Sequence, residues 1–211
     1  MRSRLLVFSM VALAVVSAAL ATWLILHLPE EAAGLRQGGS KAGGQSGEVL
    51  IGGPFTALDH HGERVTEASF LGQVTIFYFG YTFCPDVCPL GLSNITAALE
   101  LLPASVQERI RPLFVTVDPE RDTVAVMADY VQAFHRRLVG ITGTVEEIQA
   151  ITRAWRVYAK KSEVRAPGDY LVDHSTFIYV MGPDGRYLTH FGHGATPEEM
   201  AAKLQALVAT S

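Results

Sequence analysis

The two cysteines of the chain lie in one short stretch, Phe83-Cys84-Pro85-Asp86-Val87-Cys88-Pro89. Their spacing is Cys-x-x-x-Cys, one residue longer than the Cys-x-x-Cys of dedicated thiol exchangers. Such a pair can be a structural disulfide, a redox couple or a clamp for a soft cation. A disulfide closing so small a loop removes little entropy from the unfolded chain, which weakens the structural reading. Two thiolates select soft cations such as Cu(I) or Zn(II). Two ligands alone make a labile site, so a metal reading needs a third donor from elsewhere in the chain. The redox reading needs none.

The flanking residues say what must position the pair. Val74-Thr75-Ile76-Phe77-Tyr78-Phe79 is a continuous apolar, β-rich run, the pattern of a central strand buried on both faces. It leads directly into the cysteines. Beyond them Leu92, Ile95, Leu99 and Leu102 recur at helical spacing, which predicts a helix from about Cys88 to Leu102, with Pro103 compatible with its end. Cys88 then sits at the helix N-terminus with Pro89 just inside, where free backbone N–H groups and the dipole favour a thiolate. If the first turn reaches back to Cys84, the sulfurs stand at i and i+4 on one face, with Cβ atoms ~5–6 Å apart. That is room for one ion, and close enough for a disulfide after a small rearrangement.

The remaining elements alternate. A hairpin is expected around Asp59-His60-His61-Gly62, and a second central strand over Leu113 to Val117. Asp118-Pro119-Glu120-Arg121-Asp122-Thr123 is a polar loop leading into a helix from about Thr123 to His135; Arg121 and Asp122 are expected to pair and cap it. Leu138 to Ile141 is a short extended piece, and Thr144-Val145-Glu146-Glu147 is a capping box opening a further helix. Val172, then Thr176 to Met181, read as strand, and Gly182-Pro183-Asp184-Gly185 turns into a return strand from Tyr187 to Phe191. Thr196-Pro197-Glu198-Glu199 opens a last helix. This order implies the α/β class, a thioredoxin-like mixed sheet flanked by helices. Tyr78, Phe79, Tyr81 and Phe83 are expected to pack the core and exclude water beside the cysteines.

Seven histidines offer a third donor. His27 is near the N-terminal apolar segment, His135 is late in a helix, and His60-His61 occupies a turn. His174, in Val172-Asp173-His174-Ser175-Thr176, immediately precedes a buried strand. In a thioredoxin-like fold the segment entering that strand lies beside the cysteine loop, so His174 is the expected third ligand, with His193 in reserve. Asp173 is a candidate to orient its imidazole.

Residues Leu5 to Leu28 contain no Lys, Arg, Asp or Glu. As a helix they would reach roughly 36 Å, enough for a ~30 Å hydrocarbon core. Arg2 and Arg4 precede the segment and Glu30 and Glu31 follow, so the N-terminus is expected in the cytoplasm and the domain outside it. Ala19-Leu20-Ala21 would also pass as a signal-peptide cleavage site, although Trp23-Leu24-Ile25-Leu26 continues the apolar run beyond it. The expected organisation is therefore a membrane anchor or signal peptide over 1–29, a Gly- and Ser-rich flexible linker over 30–48 and one domain over 49–211. Without the anchor segment's two arginines, the remaining 15 basic and 21 acidic residues leave a charge of −6. So acidic a domain, with no basic stripe, argues against nucleic-acid binding.

Taken in order, Gly52-Gly53-Pro54-Phe55, Tyr78-Phe79-Gly80-Tyr81-Thr82, Cys84-Pro85-Asp86-Val87-Cys88-Pro89, Asp118-Pro119-Glu120-Arg121-Asp122-Thr123, Val172-Asp173-His174-Ser175 and Gly182-Pro183-Asp184-Gly185 resemble the Sco/SenC family of copper-binding, thioredoxin-like proteins. The resemblance covers about residues 50–208. It implies copper, as Cu(I), Cu(II) or both, held on Cys84, Cys88 and His174, with Asp118 an accessory residue near the site. It further implies a membrane-tethered copper chaperone of the inner membrane, its domain in the periplasm. The partners would be a copper donor protein and, as recipient, the CuA centre of cytochrome c oxidase subunit II. The alternative is an extracytoplasmic thiol–disulfide oxidoreductase working through Cys84 and Cys88. Within the family the motif does not separate the two.

Overall fold

The computed structural model describes residues 50–162 and 170–210, together with Leu20 and Trp23. The chain divides into two compact units, Met1–Glu48 and Val49–Ser211. Leu20 and Trp23 are helical; the rest of the expected anchor over 1–29 and the expected linker over 30–48 lie outside the described residues. Among those described, no helix is long and apolar enough to cross a membrane.

The second unit is built on a seven-stranded sheet. Its strands in chain order are β1 (Thr56–Asp59), β2 (Arg64–Thr66), β3 (Val74–Gly80), β4 (Ile110–Thr116), β5 (Val139–Thr142), β8 (Ile178–Met181) and β9 (Tyr187–Phe191). In space they run β2-β1-β5-β4-β3-β8-β9. Strands β3, β4 and β5 are mutually parallel, and β8 and β9 add antiparallel at one edge. The hairpin β1–β2 closes the other edge. Two further strands, β6 (Ala159–Lys161) and β7 (Val172–His174), form a separate antiparallel ribbon. The helices are α1 (Val87–Glu100), α2 (Ala104–Gln107), α3 (Val124–Val131), α4 (Val145–Ala154) and α5 (Pro197–Ala209).

Every residue of β3 is buried, as its apolar run requires of a strand covered on both faces. Its two-residue side-chain period divides it between two cores. Val74, Ile76 and Tyr78 pack with Leu92, Ile95 and Leu99 of α1, Met127 of α3 and Met200 and Leu204 of α5. Phe77 and Phe79 point the other way, onto Ile148 and Ile151 of α4 and onto Trp155. A third, smaller cluster of Tyr81, Cys84, Cys88 and Val172 lies beyond the end of β3.

Several sequence expectations change in detail. The helix expected to reach His135 ends at Val131. The Thr144 and Thr196 capping boxes both form, each with its Glu reaching back to the cap backbone. Phe83 is 58% exposed rather than core, because the chain leaves the sheet at Gly80 and turns outward before Cys84. Arg121 and Asp122 do not pair: Arg121 joins Asp118 and Tyr170, and Asp122 joins Thr82 and Thr116.

Candidate metal centre

Strand β3 delivers the chain to the site and α1 receives it. Tyr78, in β3, donates its hydroxyl to the Val87 carbonyl at 2.9 Å and so fixes the first turn of α1. Gly91 makes room for that phenol: a Cβ there would lie 2.4 Å from the Tyr78 hydroxyl oxygen. The first turn closes with Leu90 N–H to Asp86 C=O at 3.2 Å. Cys88 is thus the second helical residue, and Cys84 stands before the helix, in a turn closed by Cys84 N–H to Tyr81 C=O at 3.2 Å. The helix does not reach back to Cys84, so the two sulfurs converge through this turn and not through helical i, i+4 spacing.

His174 arrives from the opposite side on β7. Strand parity decides what this segment presents. Val172 and His174 share the face turned toward the cysteines; Val172 is 5% exposed and packs against Tyr81, Cys84 and Cys88. Asp173, one residue off, falls on the other face and is exposed. It therefore does not orient the imidazole as expected. The Ser175 carbonyl does so, 2.9 Å from His174 Nδ1. A carbonyl only accepts, so Nδ1 carries the proton and the Nε2 lone pair faces Cys88 Sγ at 3.3 Å.

The donor atoms of Cys84, Cys88 and His174 all lie within 4.8 Å of one another. Around a shared ion, with bonds of roughly 2.0–2.3 Å to N and S as in zinc sites, such atoms stand about 3.5–4 Å apart. The three donors therefore fit one soft ion with sub-ångström adjustment. Both cysteines are free thiols. His193, the reserve candidate, is exposed and does not belong to this group.

Helix position alone favours a Cys88 thiolate, but the structure reverses this. Cys88 is 0% exposed, and burial pushes its thiol up, against a backbone hydrogen bond from Tyr81 that pulls it down; the neighbouring Cys84 adds to the rise. Burial also lowers the His174 imidazole, opposed by its bond to the Ser175 carbonyl. Both effects have one cause: a site shut off from water disfavours charge. Burial thus favours the neutral forms of Cys88 and His174, and a bound cation would supply the charge that makes a thiolate stable there.

The polar loop after β4 ties the two sides of the site together through residues whose role the sequence left open. Asp122, fully buried, accepts from Thr82 N–H at 3.0 Å, Thr82 Oγ1 at 2.6 Å and Thr116 Oγ1 at 2.6 Å, anchoring the cysteine loop. Asp118, 1% exposed, is not among the grouped donors. Its carboxylate accepts from Arg121 Nε at 2.5 Å and from the Tyr170 hydroxyl at 2.8 Å. Arg121 continues to the Tyr170 carbonyl at 3.0 Å and lies over the rings of Tyr170, Phe83 and Tyr81. No sequence periodicity connects Arg121 with Tyr170; only the fold brings them together.

The family model SCO1/SenC matches residues 43–209. The human mitochondrial SCO1 homologue is 42% identical over 159 residues, 75% of this chain and 53% of that protein. Among solved structures, Bradyrhizobium japonicum ScoI with copper bound is 43% identical with a TM-score of 0.70, over 74% of this chain and 99% of that one. Yeast Sco1 with copper bound is 36% identical with a TM-score of 0.71, over 76% and 90%. The chain spans 60% of the length of the Schizosaccharomyces pombe protein and 53% of that of the human one. By the extent of the family match and by these identities, the chain belongs to the SCO1/SenC family.

Proposed function

We propose that this protein is a copper chaperone that holds copper on Cys84, Cys88 and His174 and passes it to the CuA centre of cytochrome c oxidase subunit II or a similar recipient. The carrying observation is the convergence of two buried thiols and one Nε2 lone pair within 4.8 Å. Relatives solved with copper bound support the choice of metal. Thiolates suit Cu(I), and the imidazole helps accommodate Cu(II). Binding displaces the thiol protons, and transfer follows by exchange, as ligands of the recipient replace these three one at a time. A copper donor protein loads the site, and the segment over 1–29 tethers the domain to the inner membrane on its periplasmic side. The test is copper titration of the full chain and its His174→Ala and Cys88→Ser variants. His174→Ala is expected to weaken Cu(II) binding severely, and Cys88→Ser to abolish the thiolate-to-copper charge-transfer band. Unchanged Cu(II) affinity in His174→Ala would sink the assignment.

The proximity of two free thiols also supports a second reading, reduction of target disulfides. In that reaction Cys84 and Cys88 would close a disulfide, giving two electrons and two protons to a partner's cysteines. Burial of Cys88, which disfavours the attacking thiolate, weighs against it. Strong turnover on a disulfide substrate by copper-free protein would favour this reading over the first.

A further inference from the structure

Arg121 touches residues on both sides of the site. Toward the cysteine side its guanidinium carbon lies 4.8 Å from the ring centre of Phe83, the neighbour of Cys84, and 5.7 Å from that of Tyr81. Toward the histidine side it lies 3.7 Å from the Tyr170 ring and donates to the Tyr170 carbonyl at 3.0 Å. The same guanidinium donates from Nε to buried Asp118, whose other oxygen accepts from the Tyr170 hydroxyl. Tyr170 is thereby gripped at its ring, its carbonyl and its hydroxyl.

That grip continues to the ligand. Tyr170 leads into β7, which carries Val172 and His174 at alternate positions on one face. Val172 N–H donates to the Tyr81 hydroxyl at 3.2 Å, and the Tyr81 ring meets the His174 imidazole edge to face, with centres 5.8 Å apart. The cysteines have an independent anchor, since Asp122 holds Thr82 through hydrogen bonds that do not involve Arg121. Loss of Arg121 should therefore release the imidazole more than the sulfurs.

We infer that Arg121 is a positioning residue that sets the engagement of His174, and through it the preference of the site for Cu(II) over Cu(I). The inference rests on the copper reading above. Cu(I) is satisfied by two thiolates, whereas Cu(II) draws more on the imidazole. A planar guanidinium that stacks and forks at once is not replaced by an ammonium, so Lys should fail here as Ala does.

The experiment titrates the full chain with Cu(I) and with Cu(II), in wild type, Arg121→Ala, Arg121→Lys, His174→Ala and the double variant Arg121→Ala/His174→Ala. Arg121→Lys keeps a cation beside Asp118 and carries the test should Arg121→Ala fail to fold. Cu(II) affinity is expected to fall about 10–100-fold in both Arg121 variants, as for other residues that orient a ligand. Cu(I) affinity should change by less than about threefold, because both thiolates remain. In the His174→Ala background the Arg121 substitution should add nothing. Equal losses for the two oxidation states, an unchanged Cu(II) affinity, or a full additional loss on top of His174→Ala would each overturn the inference while leaving the copper site standing. Wild-type protein that takes up no copper would overturn both.

Discussion

Cys88 is held away from the water that a free thiolate needs, and the same enclosure keeps His174 neutral. The polar groups that maintain the enclosure are themselves buried, so their loss should be costly. Removing the Asp122 carboxylate leaves Thr82 N–H and the hydroxyls of Thr82 and Thr116 without an acceptor. Asp122→Ala is expected to cost about 1–3 kcal/mol, the penalty of unsatisfied buried groups. A urea midpoint equal to that of wild type would remove Asp122 from this role. Burial pushes the Asp122 carboxyl up despite the bonds from Thr116 and Thr82. Asp122→Asn, which sheds the buried charge and keeps one acceptor, should therefore cost less than Asp122→Ala in the same measurement.

At the scale of elements, the site depends on how closely β3 and α1 approach. A Cβ on Gly80 would lie 2.7 Å from Cys88 Sγ and 2.8 Å from Phe114 Cε2. Gly80→Ala should destabilise by about 1–3 kcal/mol, the usual cost of overpacking, and should lower copper affinity by displacing the sulfur. At Gly192 an added Cβ meets nothing within 4 Å, so Gly192→Ala is the matched control. Beyond α3, His135 shows a second consequence of packing. Its Nδ1 accepts from Arg137 N–H at 3.3 Å and its Nε2 faces Gln107 Oε1 at 3.4 Å, an arrangement suited to the neutral ring. Burial lowers its pKa, Arg136 and Arg137 add to this, and Glu100 opposes it. Its folded pKa thus lies below the unfolded value of about 6.5, so stability is full above that pH. It declines as pH falls toward the lowered value, because the unfolded chain takes up a proton the folded one refuses. His135→Gln should flatten the fall in urea midpoint between about pH 7 and 5. His60 and His174, lowered for the same reason, contribute to the slope that remains, and the raised Asp122 carboxyl opposes it. An unaltered slope would show that His135 is not a source of it.

At the scale of the whole molecule, the three grouped donor atoms come from a turn, a helix and a separate ribbon, so an ion bound there would join segments far apart in the chain. Copper at one hundred times its dissociation constant should stabilise the fold by about 2.7 kcal/mol, or roughly 5–10 °C in Tm for a domain of this size. Any copper held by the unfolded thiols would reduce this. Calorimetry with and without Cu(II) checks it: the rise should vanish in His174→Ala at the same Cu(II) concentration and reverse on adding a chelator.

Much of this architecture was legible in the chain because its signals are local. The apolar run of β3, the heptad-like spacing in α1 and the Thr144 and Thr196 caps each lie within one element, where backbone geometry fixes the pattern. Strand β6 was not legible: three exposed residues, Ala159–Lys161, carry no alternation of burial to read. Its partner β7 was visible only at Val172. That gap matters, since the ribbon is what turns His174 inward and Asp173 outward.

The sequence by itself determined the donor types, their order, and the strand-to-helix junction that carries the cysteines, for these follow from residue identity and short-range periodicity. Only the tertiary structure decided three things: that Cys88 is buried deeply enough to stay a thiol, that Ser175 and not Asp173 orients the imidazole, and that Arg121 bridges the two sides of the site. The physical reason is common to all three. Burial, and hydrogen-bond partners drawn from distant segments, are properties of how elements pack, and a dipole or a spacing read along the chain does not contain them.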